Sequence, residues 1–207
     1  QYNLVIFAIN FLGMLISLSF PGMQYHLDLL GTGSFALASA YIMLAQSLLQ
    51  TQVLSSYAII IWSTKLASFL FYRAIQVKED ARLGETLSTK PGVVFFWLLS
   101  FLWGVISSLP HSLGLASSSS SFSPIGGNNI GFLFFGTFVY IVGLLTETIA
   151  DYQKWTFKQT NPGQFCNIGL WSISQHPNFV GNICIWTGIT IMNLSSLEWR
   201  LVPIACL

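Results

Sequence analysis

Residues Ile130 to Ala150 read IGFLFFGTFVYIVGLLTETIA, and no charged side chain interrupts this run before Glu147. A helix that crosses a hydrocarbon core of about 30 Å needs about 20 mostly apolar residues, and this stretch has that length and character. Five further runs of the same kind lie elsewhere in the chain. They are Leu4 to Phe20, stopped by Pro21-Gly22; Leu29 to Leu49; Val53 to about Ile75; Val93 to Leu109, between Pro91 and Pro110; and Phe179 to about Leu194. The alternative way to satisfy backbone groups in lipid is a closed barrel of short alternating strands, which continuous runs of this length do not build. The sequence therefore predicts an all-α, polytopic transmembrane bundle, a single transmembrane domain over residues 1–207.

Composition agrees. Of 207 residues, 53% are hydrophobic and 7% are charged, against roughly 25% charged in a soluble domain. The net charge is +1 and the cations are scattered, so a nucleic-acid partner is excluded. Cys166, Cys184 and Cys206 are widely spaced in apolar surroundings, which makes neither a metal-ligand spacing nor a disulfide framework. The expected metal set is none. The chain opens on Gln1 rather than Met, as expected of a processed or incomplete product from which the targeting segment is missing. No internal repeat of the transporter type is visible.

Lys78, Arg82 and Lys90 fall between the third and fourth runs, and Lys154 and Lys158 follow the fifth. Alternating crossings put both groups on one side, while Gln50 to Gln52 and His111 to Asn129 carry no Lys or Arg. The charged side is then cytosolic or its organellar equivalent. Ser117 to Ser121, with Pro124, Gly126 and Gly127, reads as a flexible loop on the far side. Endoplasmic reticulum, plastid and mitochondrial membranes are all compatible with this pattern.

Chemistry concentrates at the end of the fifth run. Glu147, Asp151, Lys154 and Lys158 are spaced at four, three and four residues, which keeps them on one helical face that Tyr140 and Gly143 continue into the membrane. Ionisable groups near a span are costly in lipid, so the stripe is expected to face protein or a polar cavity. The alternative is a snorkelling helix end whose charges pair with one another. Directly after it come Trp171, Gln175, His176, Pro177, Asn178 and Asn182. Pro177 breaks any helix through His176, Asn178 is placed to cap the sixth span, and free N–H groups at that helix start suit a phosphate. A capped helix with a buried turn histidine is the plainer account. In the third run Lys65 lies about 12 Å deeper than Arg73 at 1.5 Å per residue. It is expected to have an acidic partner, Glu147 first, or a ligand anion.

These residues carry a resemblance. Glu147-Thr-Ile-Ala-Asp151-Tyr-Gln153-Lys154, then Gly169-Leu170-Trp171, then His176-Pro177-Asn178-Phe179-x-Gly181 resembles the C-terminal signature of the steroid 5-alpha-reductase superfamily. The resemblance is to the branch whose pattern reads E-x-x-A-D-x-Q-K, G-L-W and S-R-H-P-N-Y-x-G-E. Trp62 to Arg82 is similar to its W-x-x-R-L-A and K-x-D-x-R stretch, so the likeness covers roughly Leu54 to Trp186. It implies a seven-helix membrane oxidoreductase, with the last helix beyond Leu207, that binds NADPH from the cytosolic side and reduces a conjugated double bond in a steroid or other lipid.

Carried over by position, residues 145–186 form the cofactor signature, in which Asp151, Lys154, Trp171, Gln175, His176, Asn178 and Asn182 hold NADPH. Glu147 and Lys65 are the catalytic candidates. Gln175 stands where the pattern has Arg, Phe179 where it has Tyr, Asn182 where it has Glu, and Lys65 where it has Arg. These departures imply weakened NADPH binding. They also leave open a catalytically silent relative that serves as a structural subunit of a larger membrane complex, with other membrane subunits and a lipid or pigment as partners. Because related members include methyltransferases, the fold by itself does not name the cofactor.

Overall fold

The computed structural model describes residues 1–23, 25–77, 81–117 and 130–197. It is helical throughout, with no strand among the described residues. The chain divides into two compact units, residues 1–119 and 120–207.

The first unit contains α1 (Tyr2–Ser19), α2 (His26–Ala45), α3 (Gln50–Val77), α4 (Ala81–Leu87), α5 (Lys90–Ser107) and α6 (Leu109–Ser117). α1 packs on α2 and α5, and α2 on α3. Gly13 is the reason α1 and α5 come so close. A Cβ there would stand 2.2 Å from the ring of Trp97, so any other residue would push the indole out of the core. Trp97 packs with Leu27 and Val93, and its Nε1 donates to Ser17 Oγ at 2.9 Å. That hydroxyl lies 2.8 Å from His26 Nε2, so Ser17 joins the indole of Trp97 and the imidazole of His26 within the core. A second apolar group joins Tyr2, Ile6, Ala38, Ile42 and Leu115. The rings of Phe35, Trp62 and Trp103 meet edge to face and tilted, with centroids 5.1 to 6.3 Å apart.

α6 follows the fourth run as a separate short helix. The fourth run ends at Ser107 rather than Leu109, and Pro110 sits in the first turn of a new short helix instead of terminating the old one. Proline is tolerated in a first turn because its missing N–H has no intrahelical partner there. His111, which the sequence places in the segment between spans on the far side, is therefore helical and fully buried. Its Nδ1 is 2.9 Å from Ser55 Oγ, and Gln52 Nε2 donates to Gly114 O at 2.8 Å. These bonds fasten α6 to α3. Residues 118–129, which include most of the Ser-rich loop, lie outside the described residues, as do Lys78 and Cys206.

The second unit holds α7 (Ile130–Thr160), a short 3-10 turn (Gly169–Ser172), α8 (Pro177–Asn193) and a final 3-10 turn (Leu194–Ser196). Two glycines on each helix allow backbone contact between α7 and α8. A Cβ on Gly143 would lie 2.7 Å from Gly181 O, and one on Gly188 would lie 2.6 Å from Gly136 O. Small residues at seven-residue spacing thus let two helix backbones touch, as they do in lipid-embedded helix pairs generally.

Among the described residues, five helices, α1, α2, α3, α5 and α7, are long and apolar enough to cross a membrane. α8, at 17 residues, is at the short end of that range. Large apolar side chains face outward on these helices, for example Leu44 at 90% and Phe134 at 69% exposure. Water would not tolerate such a surface and hydrocarbon requires it. The chain is an integral membrane protein.

Candidate functional site

α7 is 31 residues long, about 46 Å at 1.5 Å per residue, which exceeds a hydrocarbon core by about 15 Å. Its buried residues are Gly136, Tyr140, Gly143, Glu147 and Ala150, the face predicted from the spacing of the charged stripe. Glu147 is 3% exposed and points into protein. Asp151 is half-buried, while Lys154 is exposed. The expectation that all three side chains turn inward fails for Lys154, because it lies one turn past the apolar part of the helix, where the ammonium can reach water.

α8 answers this face rung by rung. Asn182 Nδ2 donates to Glu147 Oε1 at 2.9 Å, and Asn178 Nδ2 donates to Asp151 Oδ1 at 3.1 Å. Both pairs are four residues apart on their own helices, so two antiparallel helices in register bring two amides opposite two carboxylates. This overturns the expected cap. Pro177 occupies the first helical position, His176 becomes the N-cap, and Asn178 falls in the first turn with its amide directed across to α7. The helix also starts at Pro177, two residues before the expected Phe179.

The loop between the helices is pinned to the same end of α7. Trp171 Nε1 donates to Ala150 O at 2.8 Å, and Leu170 N donates to Gln153 Oε1 at 2.9 Å. Gly169 adopts φ +55, and a Cβ there would come within 2.3 Å of Gln153. That position needs glycine both for its backbone and for space. Lys154 Nζ stands 4.4 Å from the centroid of the Trp171 ring, a cation–π contact. Lys158 Nζ donates to Gln164 O, tying the far end of the loop back to the helix.

Glu147, Asp151, Lys154, Trp171, Asn178 and Asn182 are therefore joined through three elements of one unit, α7, the 3-10 turn and α8. Gln175 and His176 are exposed immediately before α8, and the N–H of His176 donates to Ser174 Oγ at 3.2 Å. His176 is thus not the buried turn histidine of the plainer account. Lys65 is half-buried on α3 of the first unit. The sequence assigns no role to Gln153, a named position of its motif, and only the folded loop shows that its side-chain oxygen accepts from Leu170.

The sequence profile of a family described as a protein of unknown function (DUF1295) matches residues 15–206. No curated protein and no solved structure gave a match.

Proposed function

The chain belongs to the DUF1295 family, within the steroid 5-alpha-reductase-like superfamily, and on that premise we propose that it is an NADPH-dependent reductase of a conjugated double bond in a membrane lipid. The observation that carries this reading is the uncapped start of α8. No side chain caps it at His176, so the N–H groups of its first turn are open to an anion. Lys154, Gln175 and His176 are exposed in the same unit around the loop and helix start.

This donor set suits a phosphorylated dinucleotide. Lys154, steadied over the Trp171 ring, would take a phosphate together with the α8 amides, and Gln175 and His176 would add further donors. Asp151 and Asn178 would accept from and donate to ribose hydroxyls. Bound there, NADPH would supply the hydride. Glu147, buried beside Asn182, would hold the proton that the developing enolate takes up. Lys65 is assigned no step.

One observation favours a second reading. Asn178 and Asn182 are both engaged by carboxylates of α7, which locks the two helices together as a structural subunit of a membrane complex would require.

Calorimetry on the purified chain in lipid nanodiscs separates the two, with NADH as the control. Gln175→Arg adds a cation at an exposed position and should tighten NADPH binding by about 1.5–3 kcal/mol, roughly ten- to a hundredfold. Lys154→Ala should weaken it. If NADPH binds neither the natural chain nor Gln175→Arg, the reductase reading fails and the structural reading takes its place.

A further inference from the structure

From Gln159 to Leu197 the chain contains no Asp, Glu, Lys or Arg. α8 accounts for part of this stretch, but residues 161–176 form the connection that the positive-inside pattern assigns to the aqueous side. A water-exposed connection of that length ordinarily carries charge. This one instead exposes apolar side chains, Phe165 at 67%, Ile168 at 45% and Ile173 at 84%.

The hydrogen bonds give the depth of the connection. About 20 residues of α7, counted from Ile130, cross the hydrocarbon core and end close to Ala150. The helix then continues to Thr160, about 15 Å further. The connection does not stay at that outer level. It folds back along α7 until Trp171 Nε1 reaches Ala150 O and Leu170 N reaches Gln153 Oε1, and Cys166 packs with Ala150 and Trp171. Phe165, Ile168 and Ile173 accordingly belong to the level where the hydrocarbon ends. Phe179, Val180 and Ile183, exposed at 63%, 47% and 52% on the first turns of α8, extend the same apolar surface into the membrane.

We infer that the connection from Asn161 to His176 is an interfacial anchor that immerses Phe165, Ile168 and Ile173 in the headgroup–acyl boundary of the charged-side leaflet. The partner is the phospholipid surface itself. Apolar side chains on uncharged backbone gain free energy at this boundary in proportion to the area they bury there. The anchor also holds the turn that bears Trp171 at a fixed depth, whether or not a cofactor binds.

The test is photocross-linking of the full chain in phospholipid vesicles, with its own cysteines kept. Benzoylphenylalanine is placed at position 165 or 173, and at position 159, the exposed Gln near the outer end of α7, as the control. Phospholipid adducts are expected by mass spectrometry at 165 and 173 and not at 159. As a second measurement, Ile173→Asp should lower the lipid adducts formed from position 165 several-fold, since a carboxylate resists burial at the boundary. Equal absence of lipid adducts at all three positions would overturn the inference, because the connection would then lie in water. Adducts at 165 and 173 to protein alone would overturn it as well, because another chain would then cover the face.

Discussion

Asn182 on α8 donates through Nδ2 to Glu147 Oε1 on α7 at 2.9 Å, with the carboxyl 3% exposed. The carboxyl sits where its helix still faces the membrane interior, so the amide both satisfies a buried acceptor and joins two spans. Asn182→Ala should cost about 1–3 kcal/mol of stability, because the acceptor stays behind with one donor fewer. Asn178→Ala should cost less, since Asp151 is only half-buried and water can replace the lost donor. Thermal unfolding of the two variants in detergent checks the order.

Glycine substitutions at Gly181 and at Gly33 should have different outcomes. At Gly181 a Cβ would lie 2.5 Å from Glu147 N and 2.8 Å from Gly143 O. Backbone cannot yield as a flexible side chain does, so Gly181→Ala should destabilise by roughly 1–3 kcal/mol or more. A Cβ added at Gly33 would meet no atom within 4 Å. There alanine adds helix propensity without a clash, and Gly33→Ala should be neutral or stabilising by up to about 1 kcal/mol. The same melting experiment reads both.

His111 lies in α6, whose nine residues are too few to span a membrane. Burial pushes its imidazole down to about 3 from the usual 6.5. Between those two values the unfolded chain binds a proton that the folded chain does not. Stability is therefore fully present above about pH 6.5 and falls as the pH is lowered toward 3, with a slope of at most about 1.4 kcal/mol per pH unit from this one group. His111→Gln should flatten that acid limb while lowering the melting temperature at neutral pH. A limb equally steep in His111→Gln would assign the acid sensitivity to other groups.

Trp171→Phe should separate two contacts. It removes the Nε1 donor to Ala150 O, 2.8 Å in the natural chain, and keeps a ring beneath Lys154. The stability loss should be about 1 kcal/mol, the net worth of a typical hydrogen bond. Lys154→Ala should cost at most about 1 kcal/mol, as exposed cation–π contacts do. Chemical denaturation with a spectroscopic readout distinguishes these from wild type.

The spans, their all-helical character and the inward face of α7 are legible in the sequence. Hydrocarbon permits few backbone solutions, and a run such as Ile130 to Ala150 leaves one of them; spacings of three and four residues then assign Tyr140, Gly143, Glu147 and Asp151 to one side of a helix. The sequence also places Trp171, His176 and Asn178 near the charged end, because Pro177 bars a helix through His176 and they follow the charged stripe of α7 directly. What Asn178 and Asn182 do is decided by the tertiary structure. A local reading offers Asn178 the nearest free N–H groups, but the glycine contacts bring α7 so close that Asp151 and Glu147 become the better acceptors. The helix through His111 and the return of residues 161–176 to the level of Ala150 are likewise decided by long-range bonds, to Ser55 on α3 and from Trp171 to α7. Hydropathy and spacing report how one segment meets its solvent, whereas these bonds depend on which distant segment arrives beside it.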